Sequence, residues 1–211
     1  MTKNLPNIVL MGIQGSGKGT QARKIAEKFG YTIFDTGAEL RKIATTDTDL
    51  GKKVNEIIVA GNYVPSEYIR DTIEYFVNNH KNIPVLFDGP IRSDEQDRVI
   101  RPILGKFVVI ELELDKNIAI DRLLHRRIDP ETGETFPESF EGNINPKTGN
   151  LLTTRKDDNQ EAIEKRIYWS LNESLPLIEK WKNDGHIVQT INANQPIEKV
   201  FEEISNFILT F

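Results

Sequence analysis

The sequence lacks cysteine, and it lacks an excess of positive charge. Without a Cys, the 211-residue chain has neither disulfides nor thiolate metal ligands. Asp and Glu number 32 against 27 Lys and Arg, a net charge of −5. This balance argues against a general nucleic-acid or anionic-membrane surface, since both partners require a basic excess. A small anionic ligand needs only a local cluster of cations, so the composition leaves that class of ligand open.

Long apolar runs and a guanine-recognition signature are also missing. The N-terminal apolar stretch is short and is interrupted by Pro6 and Asn7. It is too short for a signal-peptide core or a membrane span, so we expect a cytoplasmic protein with no membrane partner. No Asn-Lys-x-Asp motif occurs, which disfavours a GTPase switch.

What the sequence does contain is an alternation of short apolar runs with helical patterns. The runs are rich in Val, Ile and Phe and nearly continuous in hydrophobicity, as expected of parallel strands buried on both faces. The alternation predicts one α/β domain over residues 1–211, with three α/β/α layers around a five-stranded parallel sheet. The predicted strands are Ile8–Met11, Thr32–Phe34, Pro84–Phe87, Phe107–Leu112 and His186–Ile191.

Helical periodicity fills much of the chain between and after these strands. The longest helical stretch has a break predicted near Pro176, because proline has no backbone N–H and crowds the preceding turn. The last helix opens with a proline near its first turn, a favoured position. The predicted helices are Thr20–Phe29, Asp115–Arg127, Gln160–Asp184 and Pro196–Leu209.

Two crossovers are too long for one helix each. The segment between Phe34 and Pro84 contains several short helical pieces, punctuated by Gly51, Gly61 and Pro65. Residues 128–154 are rich in Pro, Gly, Asn and Thr and include two tight-turn sequences, PETGE and PKTGN. A long segment with little helical pattern is usually functional or disordered. A mobile flap and a plain surface insertion therefore both remain open for residues 128–154.

The strongest motif is a phosphate-binding loop that runs from Gly12 to Lys18. It fits the pattern G-x-x-x-x-G-K, with a predicted strand before it and a predicted helix after it. Its glycines allow a tight turn that exposes consecutive backbone N–H groups, and the following helix directs its positive end to the same point. Lys18 then adds a full positive charge for the outer phosphates of a nucleotide.

One position of this loop departs from the general pattern. Gly19 follows Lys18 where a Ser or Thr normally helps to hold Mg²⁺, and Thr20 comes next. Magnesium must then depend on phosphate oxygens, waters and other carboxylates. Asp88, at the end of a predicted strand, is the candidate carboxylate. An Asp that only caps a turn is the alternative interpretation.

Further motifs occur in a fixed order through most of the chain. They are Gly12–Gln21, Asp35–Arg41, Gly61–Pro65, Asp88–Arg92 with Gln96, Asp121–Arg127, and Leu152–Asp158 with Arg166. In this order and spacing they resemble the adenylate kinases and related nucleoside monophosphate kinases. The resemblance implies a P-loop NTPase-type fold with two insertions. It also implies a reversible transfer of the ATP γ-phosphoryl group to AMP, giving two ADP, with Mg²⁺ as cofactor.

The resemblance also implies roles for individual residues. The expected catalytic residues are Lys18, Arg92, Arg126, Arg155 and Arg166. Of these, Arg92 is expected to hold the phosphate of the monophosphate together with Arg41, and the others to surround the transferring phosphoryl group. Contacts to ATP are expected from Gly15, Ser16, Gly17, Lys18, Gly19, Thr20, Arg122, Arg126 and Phe136. Contacts to AMP are expected from Thr36, Gly37, Arg41, Tyr63, Val64, Gly89, Arg92, Gln96, Arg155 and Arg166. Asp157 and Asp158 are expected to position the arginines or the waters of Mg²⁺.

The two long crossovers take on functions under the same resemblance. Residues 36–64 are expected to bind the monophosphate and residues 128–154 to form a lid, with the core made of 1–35, 65–127 and 155–211. Lids of some relatives hold a structural zinc through four cysteines or their substitutes. Because this chain has no Cys, we expect no zinc. The expected partners are small nucleotides, and we expect a monomer.

Several residues depart from the family pattern and keep alternatives open. Pro90 and Ile91 stand where Phe and Pro are usual, Gln14 replaces a usual Pro, and Ala38 replaces a usual Asp. The lid has Phe136-Pro137 in place of a common Tyr-His pair. Thr36 and Gln96 favour adenine. A kinase for UMP, CMP or another acceptor and a nucleotide sensor without turnover are the remaining hypotheses.

Overall fold

A computed structural model describes residues 5–155 and 157–211, and Met1–Asn4 and Lys156 lie outside the described residues. Within them, five parallel strands form one sheet in the order β2-β3-β1-β4-β7. The five predicted strands and the parallel sheet are confirmed. The strands are β1 Asn7–Met11, β2 Thr32–Asp35, β3 Val85–Asp88, β4 Phe107–Glu113 and β7 Val188–Asn192.

Helices cover both faces of this sheet, as the alternating pattern predicts. Successive residues of β1 point to opposite faces, so Val9 packs in one apolar cluster and Ile8 and Leu10 pack in another. All three are 0% exposed, and full burial of such a side chain contributes about 1.5–3 kcal/mol. The covering helices are α1 Lys18–Phe29, α4 Ser66–Asn79, α5 Asp94–Ile100, α6 Lys116–Leu124, α7 Gln160–Trp169, α8 Pro176–Asn183 and α9 Ile197–Ile208.

One helical prediction is wrong at its end, and another, the division of the long C-terminal stretch, is confirmed. The helix predicted to reach Arg127 ends at Leu124, because Arg127–Ile128 forms the short strand β5, paired with β6 at Thr135–Phe136. The long C-terminal stretch divides into α7 and α8, as predicted. The division falls in a π-helical turn at Ser170–Ser174, where the Leu175 N–H bonds to the Ser170 carbonyl, just before Pro176.

The crossover after β2 is helical, with α2 at Thr36–Ala44 and α3 at Asp49–Val59 before α4. Both helices are capped by local side chains. Asp35 accepts a hydrogen bond from the Ala38 N–H at 2.9 Å, and Thr48 accepts one from the Gly51 N–H at 3.0 Å. Such caps satisfy donors that have no partner inside the helix. The Asp35 cap ties the start of α2 to the end of β2.

Residues 128–154 fold around a buried carboxylate, that of Asp129, which is 0% exposed. Its oxygens accept hydrogen bonds from the Glu131 and Thr132 N–H groups, from the Asn145 amide at 2.7 Å and from the Thr148 hydroxyl. Burial would raise the pKa of Asp129, but these donors outweigh it and hold the pKa well below its usual range. The segment is therefore a folded unit built on one charged acceptor.

We expect Asp129→Asn to lower the melting temperature at pH 7 by several degrees, because a neutral amide replaces a charged acceptor of several hydrogen bonds. A depressed pKa stabilises the fold above the unfolded value, about 3.9, and this contribution is lost as pH falls through the folded pKa. The difference in melting temperature between Asp129→Asn and the wild type should therefore become smaller below about pH 4. Calorimetry between pH 3 and 7 measures it. Glu141→Gln, on an exposed residue of the same segment, is the control, and equal melting temperatures for Asp129→Asn and wild type at pH 7 would contradict the expectation.

Candidate active site

The phosphate loop joins β1 to α1 at the carboxyl edge of the sheet. Gly15 has a positive φ of 85°, and a Cβ there would lie 2.8 Å from the Ala119 carbonyl oxygen. A side chain is therefore excluded both by conformation and by space. α1 begins at Lys18 without a side-chain cap from Gly17, so its first N–H groups remain available to an anion. The Ser16 hydroxyl beside them is buried with no hydrogen-bond partner among the described residues.

Lys18 closes over this loop. Its Nζ donates to the Gly12 and Ile13 carbonyl oxygens at 2.8 and 3.0 Å. Burial lowers the pKa of Lys18, while the charge of Asp88 opposes that shift. The ammonium is thus held in the loop by neutral carbonyls, and its charge remains available to a phosphate.

Asp88 lies at the end of β3, next to the start of α1. A Cβ on Gly19 would lie 3.8 Å from Oδ2 of Asp88, so the carboxylate faces the position where the usual Ser or Thr is missing. Burial raises the pKa of Asp88 to about 6, against the opposing charge of Lys18, and the nearby Asp35 raises it further. A half-buried carboxylate with a raised pKa would be stabilised in its ionised form by a bound cation.

Arginines from three different elements line the same cavity as the loop. Arg41 comes from α2, Arg92 follows β3, and Arg155 follows the 128–154 segment. No carboxylate oxygen of the described residues lies within 4.0 Å of these guanidinium groups or of Lys18. Burial lowers the pKa of Arg155 to about 9, with Arg126 and Arg41 adding repulsion, and its buried Nε has no partner in the described chain. Unpaired cations at one place indicate a site for a polyanion.

Two further arginines of the cavity are paired with carboxylates. Arg126 makes a two-pronged contact with Asp158, with Nε at 2.9 Å and Nη2 at 2.6 Å. Arg166 contacts Asp157 at 2.9 Å and Asp158 at 3.0 Å. Because Asp158 joins both guanidinium groups, it fixes their relative position.

The far end of the cavity is formed by α6 and the loop before α9. Arg122 donates to the Gly15 carbonyl at 3.4 Å and to the Ala193 carbonyl at 3.2 Å. The loop around Ala193 was not singled out from the sequence, because its contribution is a backbone carbonyl and carries no residue signature. Phe136 and Pro137 of the 128–154 segment also line the cavity.

The cavity has a volume of about 740 Å³, within the range of small-molecule sites. Its lining includes the loop glycines, Ser16, Thr20, Gly37, Val64 and Gly89, together with the cations described above. Three residues expected to contact AMP do not line it, namely Thr36, Tyr63 and Gln96. The Thr36 hydroxyl is buried without a partner in the described chain. The Gln96 amide accepts from the Arg92 N–H at 2.8 Å and donates to the Val64 carbonyl at 2.9 Å.

His125 has closer acidic neighbours than its sequence context suggests. Its Nδ1 lies 3.3 Å from a carboxylate oxygen of Asp121, one helical turn away, and 3.8 Å from one of Glu138. Glu138 is brought to His125 by the path of the 128–154 segment, which sequence spacing does not reveal. All three side chains are exposed.

A phosphate loop on a parallel five-stranded sheet, facing a set of cavity-lining arginines, defines a P-loop phosphotransferase. The adenylate kinase family model matches residues 10–186. The chain is similar to the adenylate kinase of Geobacillus sp. (strain WCH70), with 33% identity over 212 residues, which are 96% of this chain and 98% of that one. It is similar to Listeria monocytogenes adenylate kinase, with 31% identity over 97% of this chain and 99% of that one. Adenylate kinase 2 of Schistosoma mansoni is 33% identical over 97% of this chain and 89% of its own length. The chain belongs to the adenylate kinase family.

No helix in the described part of the chain is long and apolar enough to cross a membrane.

The unpaired state of Arg155 gives a direct test of the anion site. We expect Arg155→Met to raise the melting temperature of the ligand-free protein by a few degrees, since a half-buried charge without a carboxylate partner is removed while apolar bulk is kept. Tripolyphosphate should raise the melting temperature of the wild type and raise that of the variant much less. Differential scanning fluorimetry measures both shifts. Arg98→Met, on an exposed arginine of α5, is the matched control, and a lower melting temperature for Arg155→Met than for wild type would oppose the interpretation.

Proposed function

We propose a division of roles among the cavity residues for the family's reaction, the reversible transfer of the ATP γ-phosphoryl group to AMP to give two ADP. The observation that carries it is the set of unpaired cations, Lys18, Arg41, Arg92 and Arg155, around one phosphate loop. Two nucleotides bound with their phosphates next to each other would supply the negative charge that balances these cations. A site for a single small anion would need fewer cations.

ATP is assigned to the loop and to the α6 end of the cavity. The backbone N–H groups from Gly15 to Thr20 and the Ser16 hydroxyl receive its phosphates, with Lys18 on the outer ones. Arg122 is fixed by two carbonyls, which leaves the flat face of its guanidinium free to stack on a base. Phe136 lines the same cavity and is assigned to the base of ATP, which it would cover from the 128–154 segment.

AMP is assigned to the side formed by α2 and by the segment after β3. Arg41 and Arg92 hold its phosphate, and two donors in a planar fork suit that group. Gly37, Val64 and Gly89 line the cavity beside them. The base-contacting roles of Thr36 and Gln96 remain predictions, as does that of Tyr63. Adenine as the preferred base rests on the family and on Thr36 and Gln96.

Arg126, Arg155 and Arg166 are assigned to the phosphoryl group in transit. Its transition state spreads negative charge over equatorial oxygens, so fixed cations and in-line positioning supply most of the catalysis. Asp158 holds two of these arginines before any nucleotide binds, so little reorganisation is needed. The acceptor phosphate is already anionic, and no general base is required.

Residues of the site also fit a magnesium ion bound with ATP. The Asp88 carboxylate, with its raised pKa of about 6, faces the loop at Gly19 and would hold the ion through its waters. When bound, the ion neutralises charge on the phosphates and orients them. Lys18 and the loop N–H groups position the phosphates, and Asp88 positions the waters.

The 128–154 segment is assigned the role of a lid, with 36–64 as the monophosphate-binding insertion. It contributes Phe136 to the cavity wall and is followed directly by Arg155. A lid that brings arginines to the site also excludes the water that would otherwise accept the phosphoryl group. A monomeric state, a cytoplasmic location and the absence of a structural zinc remain predictions.

The acceptor is tested with a panel of monophosphates. Purified protein is mixed with Mg·ATP and AMP, UMP, CMP, GMP or the deoxy forms, and diphosphate formation is followed. We expect rapid ADP formation with AMP. Lys18→Ala should lower kcat about 10³-fold or more, because a phosphate-contacting cation is lost, while its circular dichroism spectrum stays unchanged. Preference for another monophosphate would reassign the substrate, and no transfer to any of them would refute the kinase assignment.

Asp88 gives a pH-dependent prediction. A carboxyl whose folded pKa is raised costs stability when ionised, so the cost is present above about pH 6 and absent below the unfolded value of about 3.9. Asp88→Asn should therefore raise the melting temperature at pH 7.5 and leave it unchanged at pH 4. The variant should also need a higher Mg²⁺ concentration for half-maximal turnover. Melting curves at both pH values and a Mg²⁺ titration of the rate measure these effects, and an unchanged Mg²⁺ requirement would remove Asp88 from the metal site.

A further inference from the structure

Arg92 follows the altered segment Asp88-Gly89-Pro90-Ile91, so its support has to come from elsewhere. Its backbone N–H donates to the Gln96 amide at 2.8 Å. On the other side, the Ser174 hydroxyl donates to the Arg92 carbonyl at 3.1 Å. The peptide groups around Arg92 are thus anchored from α5 and from the π-helical turn. Neither contact fixes the direction of its guanidinium group.

The guanidinium lies over the ring of Tyr63. The Arg92 Cζ is 6.0 Å from the ring centroid, at the outer range of a cation–π contact. The Tyr63 hydroxyl is 2.8 Å from the Ser174 hydroxyl. Because Ser174 already donates to the Arg92 carbonyl, the phenol is the donor in this pair. Burial raises the pKa of Tyr63, so the phenol keeps its proton. Tyr63 therefore contacts Arg92 twice, through its ring and through Ser174.

Tyr63 is itself fixed by the core of the protein. Its ring packs on Trp169 of α7, with centroids 5.6 Å apart and planes tilted by 40°. Two residues before it, Gly61 has a φ of 68°, and a Cβ there would lie 2.9 Å from the Ala162 carbonyl of α7. This close approach, which only glycine permits, seats the turn against the helix. The ring position is thus set by α7.

An aromatic ring holds an arginine without neutralising it. A carboxylate partner, such as Asp158 provides for Arg126, occupies N–H donors and cancels charge. A ring contacts the face of the guanidinium and leaves its five in-plane N–H donors for phosphate oxygens. No described carboxylate lies within 4.0 Å of Arg92, so the ring is its oriented partner. This is the arrangement that an acceptor-phosphate site requires.

We propose that the side chain of Tyr63 is a positioning residue that aims Arg92 at the acceptor phosphate, through its ring and through the Ser174 hydroxyl. The inference rests on the proposed assignment of Arg92 to the monophosphate. It gives Tyr63 a role different from contact with the base. It also explains how Arg92 is oriented although the residues before it depart from the family pattern.

The test is a kinetic series at Tyr63. Tyr63→Leu removes ring and hydroxyl, and kcat/KM for AMP should fall about tenfold, the sum of a cation–π contact and a hydrogen bond. Tyr63→Phe keeps the ring, and the logarithm of its kcat/KM for AMP should fall by about half as much. If Tyr63→Leu does not fold, Tyr63→Phe still tests the proposal. The KM for ATP should stay within about twofold in both. Tyr75→Leu, on an exposed tyrosine of α4, is the matched control.

A double-mutant cycle separates positioning from simple packing. If Tyr63 acts through Arg92, then Tyr63→Leu in an Arg92→Met background should cause no further loss of kcat/KM for AMP. Additive losses of kcat/KM, or an equal rise of KM for ATP and AMP, would overturn the proposal.

If the wild type prefers another monophosphate, only the assignment of AMP as the substrate fails, and the proposal for Tyr63 stands. The same dependence on Tyr63 is then expected with that acceptor, since all monophosphates share the phosphate. Calorimetric titration with AMP gives the same comparison without turnover.

Discussion

Repulsion among cations that share one cavity is the constraint to which the rest of this structure responds. Lys18 and the arginines at 41, 92 and 155 come from four separate parts of the chain, and burial lowers the pKa of Lys18, Arg92 and Arg155. Holding them together without an anion costs stability, which packing of the sheet between two helical layers offsets. The ligand-free protein therefore stores electrostatic energy that bound phosphates release. Binding energy at such a site is largest where negative charge is densest, at the reacting phosphates.

The fold positions these cations in two different ways. Arg126 and Arg166 share the carboxylates of Asp157 and Asp158, which fix their geometry and reduce their net charge. Lys18 is held by neutral carbonyls and Arg92 lies over an aromatic ring, so both keep their full charge. A site built only of ion pairs would bind phosphate weakly, because each pair would have to break. A site built only of unpaired cations would be poorly ordered. In this site the ion-paired arginines have a fixed geometry, and the cations without carboxylate partners keep their charge for phosphate.

What the sequence predicts well is what local spacing determines. The loop from Gly12 to Lys18 is recognisable because its glycines and lysine act within one turn of chain, and the buried strands are recognisable because both faces are apolar. The arginines that the ordered motifs single out line the cavity, and their individual roles remain predictions. Contacts between distant segments were not readable. The contact of Arg122 with the Ala193 carbonyl and the approach of Glu138 to His125 each depend on the tertiary path. The end of α6 was misplaced because β5 pairs with a strand seven residues further on.

In the 128–154 segment, the absence of cysteine was easier to interpret from the sequence than the residues that stabilise the segment. The absence of cysteine excluded a thiolate zinc site from composition alone, yet the carboxylate at Asp129 that organises the segment carried no signature. Its donors lie within about twenty residues of sequence, so the segment is stabilised from inside. Its contacts to α1 are polar, from Arg23 to the Gly133 carbonyl at 2.8 Å and between the Thr20 and Thr135 hydroxyls at 3.5 Å. Local stability differs across a structure, and a unit with its own internal network can keep its fold when its few hydrogen bonds to α1 break. These properties support the proposed role of the segment as a lid.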